Sequence, residues 1–308
     1  MQDLEIFNKN LELNNQLIYN LLMSNIIINS DINSKDKQLL LLLLQSRDRN
    51  FIRINPNEQV FENIRNYLTL LKPLKLDTDK LIRVGGANDG GYVMYKWGGG
   101  LENSPKALSL GVSEYSPWDL EMAEFGFEVI EYDASIEKSP YIHKNIHFYK
   151  KFIGAKNDEH TITITQALMD NAFDTTQANI LQCDIENSEW QMLEDIDIKL
   201  LSAYFTQVIF EFHGCNVEEI EGFKRRKKVL ERLNEYFVPI HTHLNNHGKI
   251  FYSRGLFWST TIEVSYLRKD LAEKFLQNGF RKEGNLKDFD TPTYLANVEI
   301  PLKFDLED

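Results

Sequence analysis

Short apolar runs that alternate with helix-like stretches begin after Lys80, and they set the strongest limit on how this chain can fold. Helix-like stretches at 118–125, 164–173 and 217–237 separate them. Runs that are apolar on both faces are typical of a parallel sheet covered by helices on both sides. The pattern therefore predicts a doubly wound α/β fold. The runs are LIRV (81–84), ALSLGV (107–112), FEVIEYD (127–133), ILQCDIE (180–186) and QVIFEFHG (207–214).

Two later runs, KIFYSRGLFW and STTIEVSYL (249–267), lie close together in the chain. Their proximity predicts a hairpin or an antiparallel pair at the edge of the sheet. An open, mostly parallel sheet with such an edge is the Rossmann-like architecture of class I methyltransferases.

The first 72 residues carry apolar residues at helical spacing, for instance Leu13, Leu17 and Leu21. We expect three or four helices that end at Lys72-Pro73, because proline disfavours the helical region for its predecessor. Residues 1–72 would form a helical cap, with oligomerisation or a substrate lid as the alternative roles. Residues 73–308 would form one Rossmann-like domain.

Charge and composition exclude several classes of protein. The chain has 34 Lys and Arg residues against 46 Asp and Glu residues, a net charge of -12, so nucleic acid is a poor partner. The apolar block at 39–44 is far shorter than the roughly 20 residues that span a membrane. Cys183 and Cys215 lack the spacing of a metal finger, and the opening MQDLEIFNKN lacks the basic start of a signal peptide. We therefore expect a cytoplasmic protein with reduced thiols and no membrane span.

The turn SLGVSEYSPWD (109–119) follows the first central strand, where a doubly wound sheet binds its cofactor. It holds one glycine, Gly111, whereas a dinucleotide fingerprint needs three to approach the pyrophosphate. The next strand ends in Asp133, which is placed to accept hydrogen bonds from a ribose diol. A nucleoside without a pyrophosphate, such as S-adenosylmethionine, satisfies both observations.

A second glycine cluster, VGGANDGGYVM (84–94), has no phosphate-binding spacing. One interpretation is a pair of tight turns that lead into a strand, with Asp89-Gly90 as a hairpin signal. The other places Asp89, Gly90 and Gly91 against the methionine end of the cofactor.

Acidic and imidazole side chains end two of the predicted strands, in CDIEN (183–187) and FEFHG (210–214). Residues i and i+2 of a strand share a face, so each pair projects together at the carboxyl edge of the sheet. We expect Asp184, Glu211 and His213 to bind Mn²⁺ or Mg²⁺, with Glu186 as the general base. Alternatively, Glu186 or Glu189 caps the next helix and His213 is structural.

The segment HTHLNNHG (241–248) carries three histidines, and we expect it to be a loop. His243 is the second candidate for the general base, and Asn246 is a candidate for substrate contact. An ordinary polar turn is the alternative.

Five motifs in order carry a resemblance to a known family: LIRVGGANDGGYVM, ALSLGVSEYSPWDLEMAEFGFEVIEYDAS, ILQCDIENSEWQML, QVIFEFHG and HTHLNNHG. From about Leu81 to Tyr266 the chain resembles the FkbM-type S-adenosylmethionine-dependent methyltransferases. The resemblance implies that Gly111, Ser113, Glu114 and Asp133 line the cofactor, while 89–91 close over its amino-acid end. The chain departs from the family at Asn187-Ser188, where a glycine is usual, and at Ser113-Glu114, where glycines are also usual.

The sequence as a whole predicts an S-adenosylmethionine-dependent, metal-assisted O-methyltransferase. The resemblance implies a sugar hydroxyl as acceptor, on a nucleotide-activated sugar for a capsule or another surface glycan. The alternatives are a dehydrogenase or epimerase that acts on an activated sugar with the same fold, and a non-catalytic scaffold built on a degenerate methyltransferase domain. A homo-oligomer through the N-terminal helices is a further expectation.

Overall fold

The computed structural model of the chain describes residues 2–45, 52–97 and 105–305. Short 3₁₀ helices cover Thr78–Lys80 and Glu273–Asn278. The α-helices of this part are α1 (Gln2–Asn29), α2 (Ser34–Gln45), α3 (Glu58–Leu70), α4 (Pro117–Glu124), α5 (Ile164–Asp170), α6 (Glu189–Asp195), α7 (Ile198–Tyr204), α8 (Ile220–Leu233) and α9 (Lys269–Ala272). The strands are β1 (Ile52–Ile54), β2 (Leu81–Val84), β3 (Tyr92–Tyr95), β4 (Lys106–Leu110), β5 (Glu128–Tyr132), β6 (Ile146–Tyr149), β7 (Phe152–Ile153), β8 (Thr161–Ile162), β9 (Asn179–Cys183), β10 (Phe205–Phe212), β11 (Phe237–Leu244), β12 (Ile250–Ser253), β13 (Leu256–Ser259) and β14 (Ile262–Arg268).

A seven-stranded sheet forms the centre of the molecule, in the order β6-β5-β4-β9-β10-β14-β11. All neighbouring pairs from β6 to β10 are parallel, while β14 runs antiparallel to both β10 and β11. Strands β4, β5 and β6 follow each other toward one edge of the sheet, and the chain then crosses over so that β9 pairs with the other side of β4. This strand order, with one antiparallel strand inserted next to the edge, is the Rossmann-like methyltransferase sheet, as the sequence predicts.

Alternate residues of the central strands pack into two separate cores, because successive strand side chains point to opposite faces. Ala107 and Ile180 pack with Trp118 of α4 and with the β2–β3 hairpin on one face. Leu108 and Leu181 pack on the other face, against the core formed with α3, α5, α6, α7 and α8. The predicted parallel sheet covered on both sides is confirmed.

The antiparallel edge differs in detail from the expectation. The runs KIFYSRGLFW and STTIEVSYL do not pair with each other. The first run folds back on itself as the β12–β13 hairpin, with Arg254 and Gly255 both in the left-handed region at its turn. The second run becomes β14, which pairs with β10 and β11. A two-residue turn of this kind suits the twist of antiparallel strands, so this local turn explains why the first run forms a hairpin with itself.

The expected loop over 241–248 is wrong in its first half, because His241 to Leu244 belong to β11. Pro239 lies in this strand, where the register with β14 shifts between Pro239 and His241. An edge strand tolerates proline at such an irregularity. All eight residues of β11 are buried. Burial of the polar residues among them is tolerated only because other parts of the chain supply hydrogen-bond partners.

The N-terminal residues form α1, α2 and α3 together with the short strand β1, which pairs in parallel with β12. Tyr67 of α3 stacks on Trp258 at 4.7 Å between ring centroids, and its hydroxyl accepts a hydrogen bond from Arg226 Nε at 2.9 Å. One hydrophobic cluster contains Ile64, Tyr67 and Phe212. The core is therefore continuous across the 72/73 boundary. Among the described helices, none combines the length and apolarity that crossing a bilayer requires.

Candidate functional site

The carboxyl ends of β4 and β9 meet where the strand order reverses, which is the usual position of a ligand crevice in such a sheet. Asp184 N donates to Leu110 O at 2.9 Å. Gly111 lies against this junction with φ +86°, and a Cβ at this residue would overlap the carbonyl oxygen of Asp184. The glycine is thus required for the close approach of two chain segments, a reason distinct from the expected approach to a cofactor.

A cleft of about 700 Å³ opens at this edge. Its lining includes four predicted cofactor residues, Gly111, Ser113, Glu114 and Asp133. Asp184 and Glu186 line the same cleft, so one predicted metal ligand and the predicted base face the predicted cofactor site, while Glu211 and His213 are not among the lining residues. The sequence-based reasoning missed the apolar part of the lining, which is Val112, Tyr132, Ile136, Phe152, Ile153 and Ile185.

Asp133 is the most enclosed of the polar lining residues, with 9% of its surface exposed. Its Oδ1 accepts a hydrogen bond from Ser135 N, which fixes the carboxylate at the end of β5. Ser113 and Glu114 lie in the exposed loop before α4, where Ser113 Oγ donates to Tyr115 O at 2.7 Å. The cleft therefore combines one buried carboxylate, an apolar wall and a polar mouth.

A smaller cavity of about 60 Å³ adjoins the cleft and shares Gly111, Ser113 and Asp184 with it. Asp89 and Gly90 also line this cavity, as expected for residues near one end of a ligand. Gly91 is not among its lining residues. A Cβ at Gly91 would overlap Gly86 O, so this glycine serves the folding of the 85–91 loop onto itself.

The imidazole of His213 lies at the centre of four carboxylates. Its Nε2 is 3.8 Å from Asp184 Oδ1, 3.5 Å from Glu186 Oε2 and 3.8 Å from Glu211 Oε1. Its Nδ1 lies 3.0 Å from Glu189 Oε1. The four acidic groups are thus gathered around one ring from three chain segments, as expected for the ends of neighbouring strands.

Three of these residues come close enough to share one ion. Asp184, Glu186 and His213 each offer a ligand atom, and these atoms lie within 4.8 Å of one another. Asp184 Oδ1 is buried and has no hydrogen-bond partner in the described residues. Glu211 has other contacts: its Oε1 accepts from Asn245 Nδ2 at 2.8 Å, and Tyr92 donates to its Oε2 at 3.4 Å. The geometry therefore brings Glu186 into the predicted ligand set more directly than Glu211.

Titration of the cluster reflects the crowding of like charges. Burial raises the pKa of Asp184 to about 7; His213 opposes the shift, and Glu186 and Glu189 add to it. Burial and then the Asp184 charge hold the pKa of Glu211 well above its usual range. Burial lowers the pKa of His213, but the hydrogen bond and charge of Glu189 outweigh that effect, so the net shift is upward. A cation would relieve this repulsion.

Glu186 and Asn187 have positive φ angles, 51° and 79°. Left-handed backbone is uncommon for residues other than glycine, although asparagine tolerates it best. A glycine would adopt the φ of Asn187 without strain, whereas this chain carries a side chain there. The strained turn directs the Glu186 carboxylate toward His213.

The sequence predicts at most a capping role for Glu189, and the structure gives it a second role. It is fully buried, and its Oε1 accepts from the backbone N of Ile185 at 3.1 Å and of Asn187 at 3.3 Å. The same oxygen contacts His213 Nδ1. Glu189 thereby fixes the turn at 185–187 and the orientation of the His213 ring. In this orientation Nε2 of His213 points toward the other three carboxylates. Its spacing of three residues from Glu186 was the available sequence signal, but this signal did not reveal the contact with His213.

His243 lies in β11, and both of its ring nitrogens are occupied. Nδ1 is 3.1 Å from Glu263 Oε2, and Nε2 is 2.8 Å from Glu299 Oε1. The residue is 1% exposed. This arrangement corrects the expectation of a general base, because the ring has no nitrogen available for a substrate.

Asn246 is also fully buried, and its contacts correct the expectation of a substrate-binding side chain. Its Nδ2 donates to Tyr294 O and Asn297 O, and its Oδ1 accepts from Tyr294 N. The amide therefore anchors the C-terminal segment onto the turn after β11.

The His243 contacts predict how stability depends on pH. Burial lowers the pKa of this imidazole, but Glu263 and Glu299 outweigh the effect and hold it well above 6.5. The resulting stabilisation is complete below the unfolded pKa of about 6.5 and is lost as pH rises through the folded value. We expect His243→Gln to lower the free energy of unfolding by about 3 kcal/mol near neutral pH. Urea unfolding at about pH 6 and about pH 9 should show a smaller deficit at the higher pH; a deficit independent of pH would contradict the ion-pair interpretation.

No known family profile matches the chain, and no curated protein matches it. Among solved structures, the chain is similar to the crystal structure of a fibrillarin/Nop5p complex, with 12% identity and a TM-score of 0.34. That similarity covers 55% of this chain and 74% of the other. The fold assignment accordingly stands on the strand order, and the resemblance to the FkbM-type family remains a prediction from the motifs.

Proposed function

We propose that the chain is an S-adenosylmethionine-dependent O-methyltransferase that uses a divalent metal ion. One observation carries the proposal: Asp184 and Glu186 line the same cleft as Asp133, so an ion held beside His213 would lie next to a nucleoside donor. The methyltransferase strand order supports it.

The cleft suits a nucleoside that lacks a pyrophosphate. Asp133 can accept hydrogen bonds from a ribose diol, and the Ile136, Phe152 and Ile153 side chains offer an apolar wall for the purine. The smaller cavity beside Asp89 and Gly90 is polar and suits the amino-acid end. S-Adenosylmethionine, when bound, supplies an electrophilic methyl group for in-line displacement.

The donor set fits a hard divalent cation. The carboxylate of Asp184 and the imidazole of His213 suit Mn²⁺, which tolerates nitrogen ligands, or Mg²⁺. The buried Asp184 Oδ1 without a hydrogen bond and the repulsion among the carboxylates both favour a cation at this place. Such an ion would lower the pKa of an acceptor hydroxyl and hold it in place.

Glu186 is the residue that we assign to proton removal. Its side chain is 83% exposed at the mouth of the cleft, so it can pass a proton on to solvent. Asp184 and His213 then hold the ion. We expect Glu186→Gln to lower kcat by about 10²–10⁴-fold while the affinity for Mn²⁺ changes little. A large loss of Mn²⁺ affinity would instead identify Glu186 mainly as a ligand.

The acceptor is proposed to be a sugar hydroxyl. Among the described residues that line the two cavities, none is Lys or Arg. A diphosphate would find no positive side chain there, so we place the uncharged sugar ring, and not the phosphates of a nucleotide-activated sugar, against the cluster. Parallel screens with glycosides and nucleotide sugars, read as a gain of one methyl mass, distinguish the two acceptor forms.

Isothermal calorimetry with S-adenosylhomocysteine tests the donor site. We expect binding by the wild-type chain and a roughly 10–100-fold weaker affinity for Asp133→Ala, because a carboxylate hydrogen bond is lost. Asp170→Ala is the control, since this exposed carboxylate lies on α5 and contacts Gln166. An absence of heat with the wild-type chain would favour a non-catalytic scaffold, and a nicotinamide bound to purified protein would favour a dehydrogenase or epimerase.

The contact between Glu189 and His213 gives a separate prediction for the metal. Substitution of a buried carboxylate that orients a ligand histidine typically costs 10–100-fold in metal affinity, and we expect Glu189→Gln to lower the Mn²⁺ affinity by about that factor. Glu194→Gln on the same helix is the control, because Glu194 pairs with Arg225 at the surface. Titration followed by electron paramagnetic resonance measures both; equal affinities would remove the positioning role of Glu189.

A further inference from the structure

Helix α1 carries a long apolar stripe that nothing in the described chain covers. Eleven large apolar residues of α1 are 49–66% exposed. Monomeric soluble proteins rarely leave so large a contiguous apolar surface in water. The exposed residues are Leu4, Ile6, Phe7, Leu11, Leu13, Leu17, Ile18, Leu21, Leu22, Ile26 and Ile28.

The opposite face of the helix is the one that packs on the rest of the molecule. Ile27 is fully buried, while Tyr19 and Met23 are partly buried against the core. Tyr19 OH also donates to Ile52 O at 2.7 Å. At 100° per residue, these side chains point away from Leu11, Ile18 and Leu21. One side of α1 therefore packs on the rest of the molecule, and the other side is exposed to solvent.

The stripe repeats with the spacing of a coiled coil. Apolar residues or asparagines follow each other at alternating intervals of three and four, the pattern of a and d positions in a heptad. Asn14 and Asn25 are the two polar members, and a buried asparagine in such a seam fixes register at a cost in stability. The a positions are Leu4, Leu11, Ile18 and Asn25, and the d positions are Phe7, Asn14, Leu21 and Ile28.

We propose that two copies of this chain associate through α1 as a parallel two-stranded coiled coil. In the parallel arrangement Asn14 faces Asn14 and Asn25 faces Asn25, and every a and d residue from Leu4 to Ile28 is covered. The antiparallel register that pairs Asn14 with Asn25 leaves Leu4 and Phe7 beyond the partner's helix. This inference is independent of the proposed activity.

The exposed area is sufficient for a stable dimer. Full burial of one Leu, Ile or Phe side chain removes roughly 100 Å² of apolar surface from water. The seam residues and their flanking neighbours Leu17 and Leu22, each about half exposed or more, bring roughly 1,000 Å² from two helices together. Since interfaces are usually a little over half apolar, the total falls roughly within the 1,200–2,000 Å² of a standard specific interface.

Charge favours a second copy over a membrane surface. Helices that lie on membranes are rich in Lys and Arg, whereas α1 has Lys9 as its only basic residue and carries Asp3, Glu5 and Glu12. None of these four charged residues occupies an a, d or e position, and Asp3 alone falls at a g position. Like charges therefore do not oppose each other along the seam.

Sedimentation equilibrium of the full chain tests the proposal. The expected mass is twice 36.0 kDa, about 72 kDa. Ile18→Asp at an a position should yield a monomer that retains the thermal unfolding transition of the domain. Leu13→Asp should remain a dimer, because Leu13 is 52% exposed on the same helix but lies outside the seam. A monomeric wild-type chain, or a dimeric Ile18→Asp variant, would overturn the proposal.

Two further measurements test the parallel orientation of the two helices and the alternative that a membrane surface covers the stripe. Ile18→Cys should oxidise to a covalent dimer, because only the parallel register places residue 18 opposite itself; the natural thiols are buried. Failure to cross-link in a dimeric protein would overturn the parallel arrangement. Co-flotation with phosphatidylglycerol vesicles should be absent, and binding by a chain that is monomeric in solution would assign the stripe to a membrane instead.

Discussion

Replacement of Asp184 by asparagine is expected to lower the rate of methyl transfer by about 10²–10³-fold, while S-adenosylhomocysteine still binds. The substitution keeps the volume of the side chain and its backbone contact with Leu110, but it removes the negative charge that lies between His213 and the cleft. With the charge gone, the ion that would hold the acceptor hydroxyl has lost an anionic ligand. The nucleoside part of the donor would contact Asp133 and the apolar wall, which the substitution does not change. Asp184 also lines the smaller cavity proposed for the amino-acid end, and asparagine keeps the shape of the side chain there.

Single-turnover assays, Mn²⁺ titration and calorimetry separate these effects. Asp195→Asn is the matched control, since this carboxylate ends α6 and accepts from Gln191. We expect the control to match the wild-type chain in all three measurements. Unchanged activity of the Asp184 variant, or of wild-type protein after exhaustive chelation, would remove the metal from the proposed function without affecting the donor site.

Substitution of Gly111 by alanine is expected to have the largest effect on folding. Two costs combine: a residue with a side chain must adopt φ +86°, which costs roughly 1–2 kcal/mol, and its Cβ overlaps the Asp184 carbonyl oxygen. The second cost requires the ends of β4 and β9 to separate. We expect a loss of more than about 4 kcal/mol in the free energy of unfolding, measured by urea denaturation or as a failure to obtain soluble protein.

Gly255→Ala isolates the first cost. Gly255 has φ +88°, and no atom lies within 4 Å of the position that its Cβ would take. This variant should lose roughly 1–2 kcal/mol and remain folded. Similar losses for both variants would show that the junction of the two strands yields easily, and that Gly111 matters through its backbone angle alone.

The parts of the fold that follow from local pattern were predictable. Strands β4, β5, β9 and β10 are mostly apolar and almost entirely buried, so their runs were visible and their order along the chain implied parallel pairing. Asp133 and Asp184 could be placed because each directly follows such a strand. Strand β11 was missed, because proline and three histidines in 239–247 resemble a loop.

The parts that depend on distant partners were not predictable from local pattern. His243 is explained by Glu299, which is 56 residues away, and no periodicity connects them. Glu189 and His213 are 24 residues apart, so their contact exists only once α6 packs beside the end of β10. The apolar wall of the cleft includes Phe152 and Ile153 in a two-residue strand, which is too short to give a pattern.

The position of Glu299 and Asp290 has a consequence for the timing of biosynthesis. His241 and His243 lie on the same face of β11. Asp290 and Glu299, the acids that contact their rings, are translated about fifty residues later. Domains generally fold in the order in which they leave the ribosome. The edge of this sheet therefore waits, with Nε2 of His241 and Nε2 of His243 still without their acidic partners, until the segment that carries Asp290 and Glu299 has emerged. A nascent chain stalled before Asp290 should remain a substrate for chaperones even though β4 to β10 are already complete.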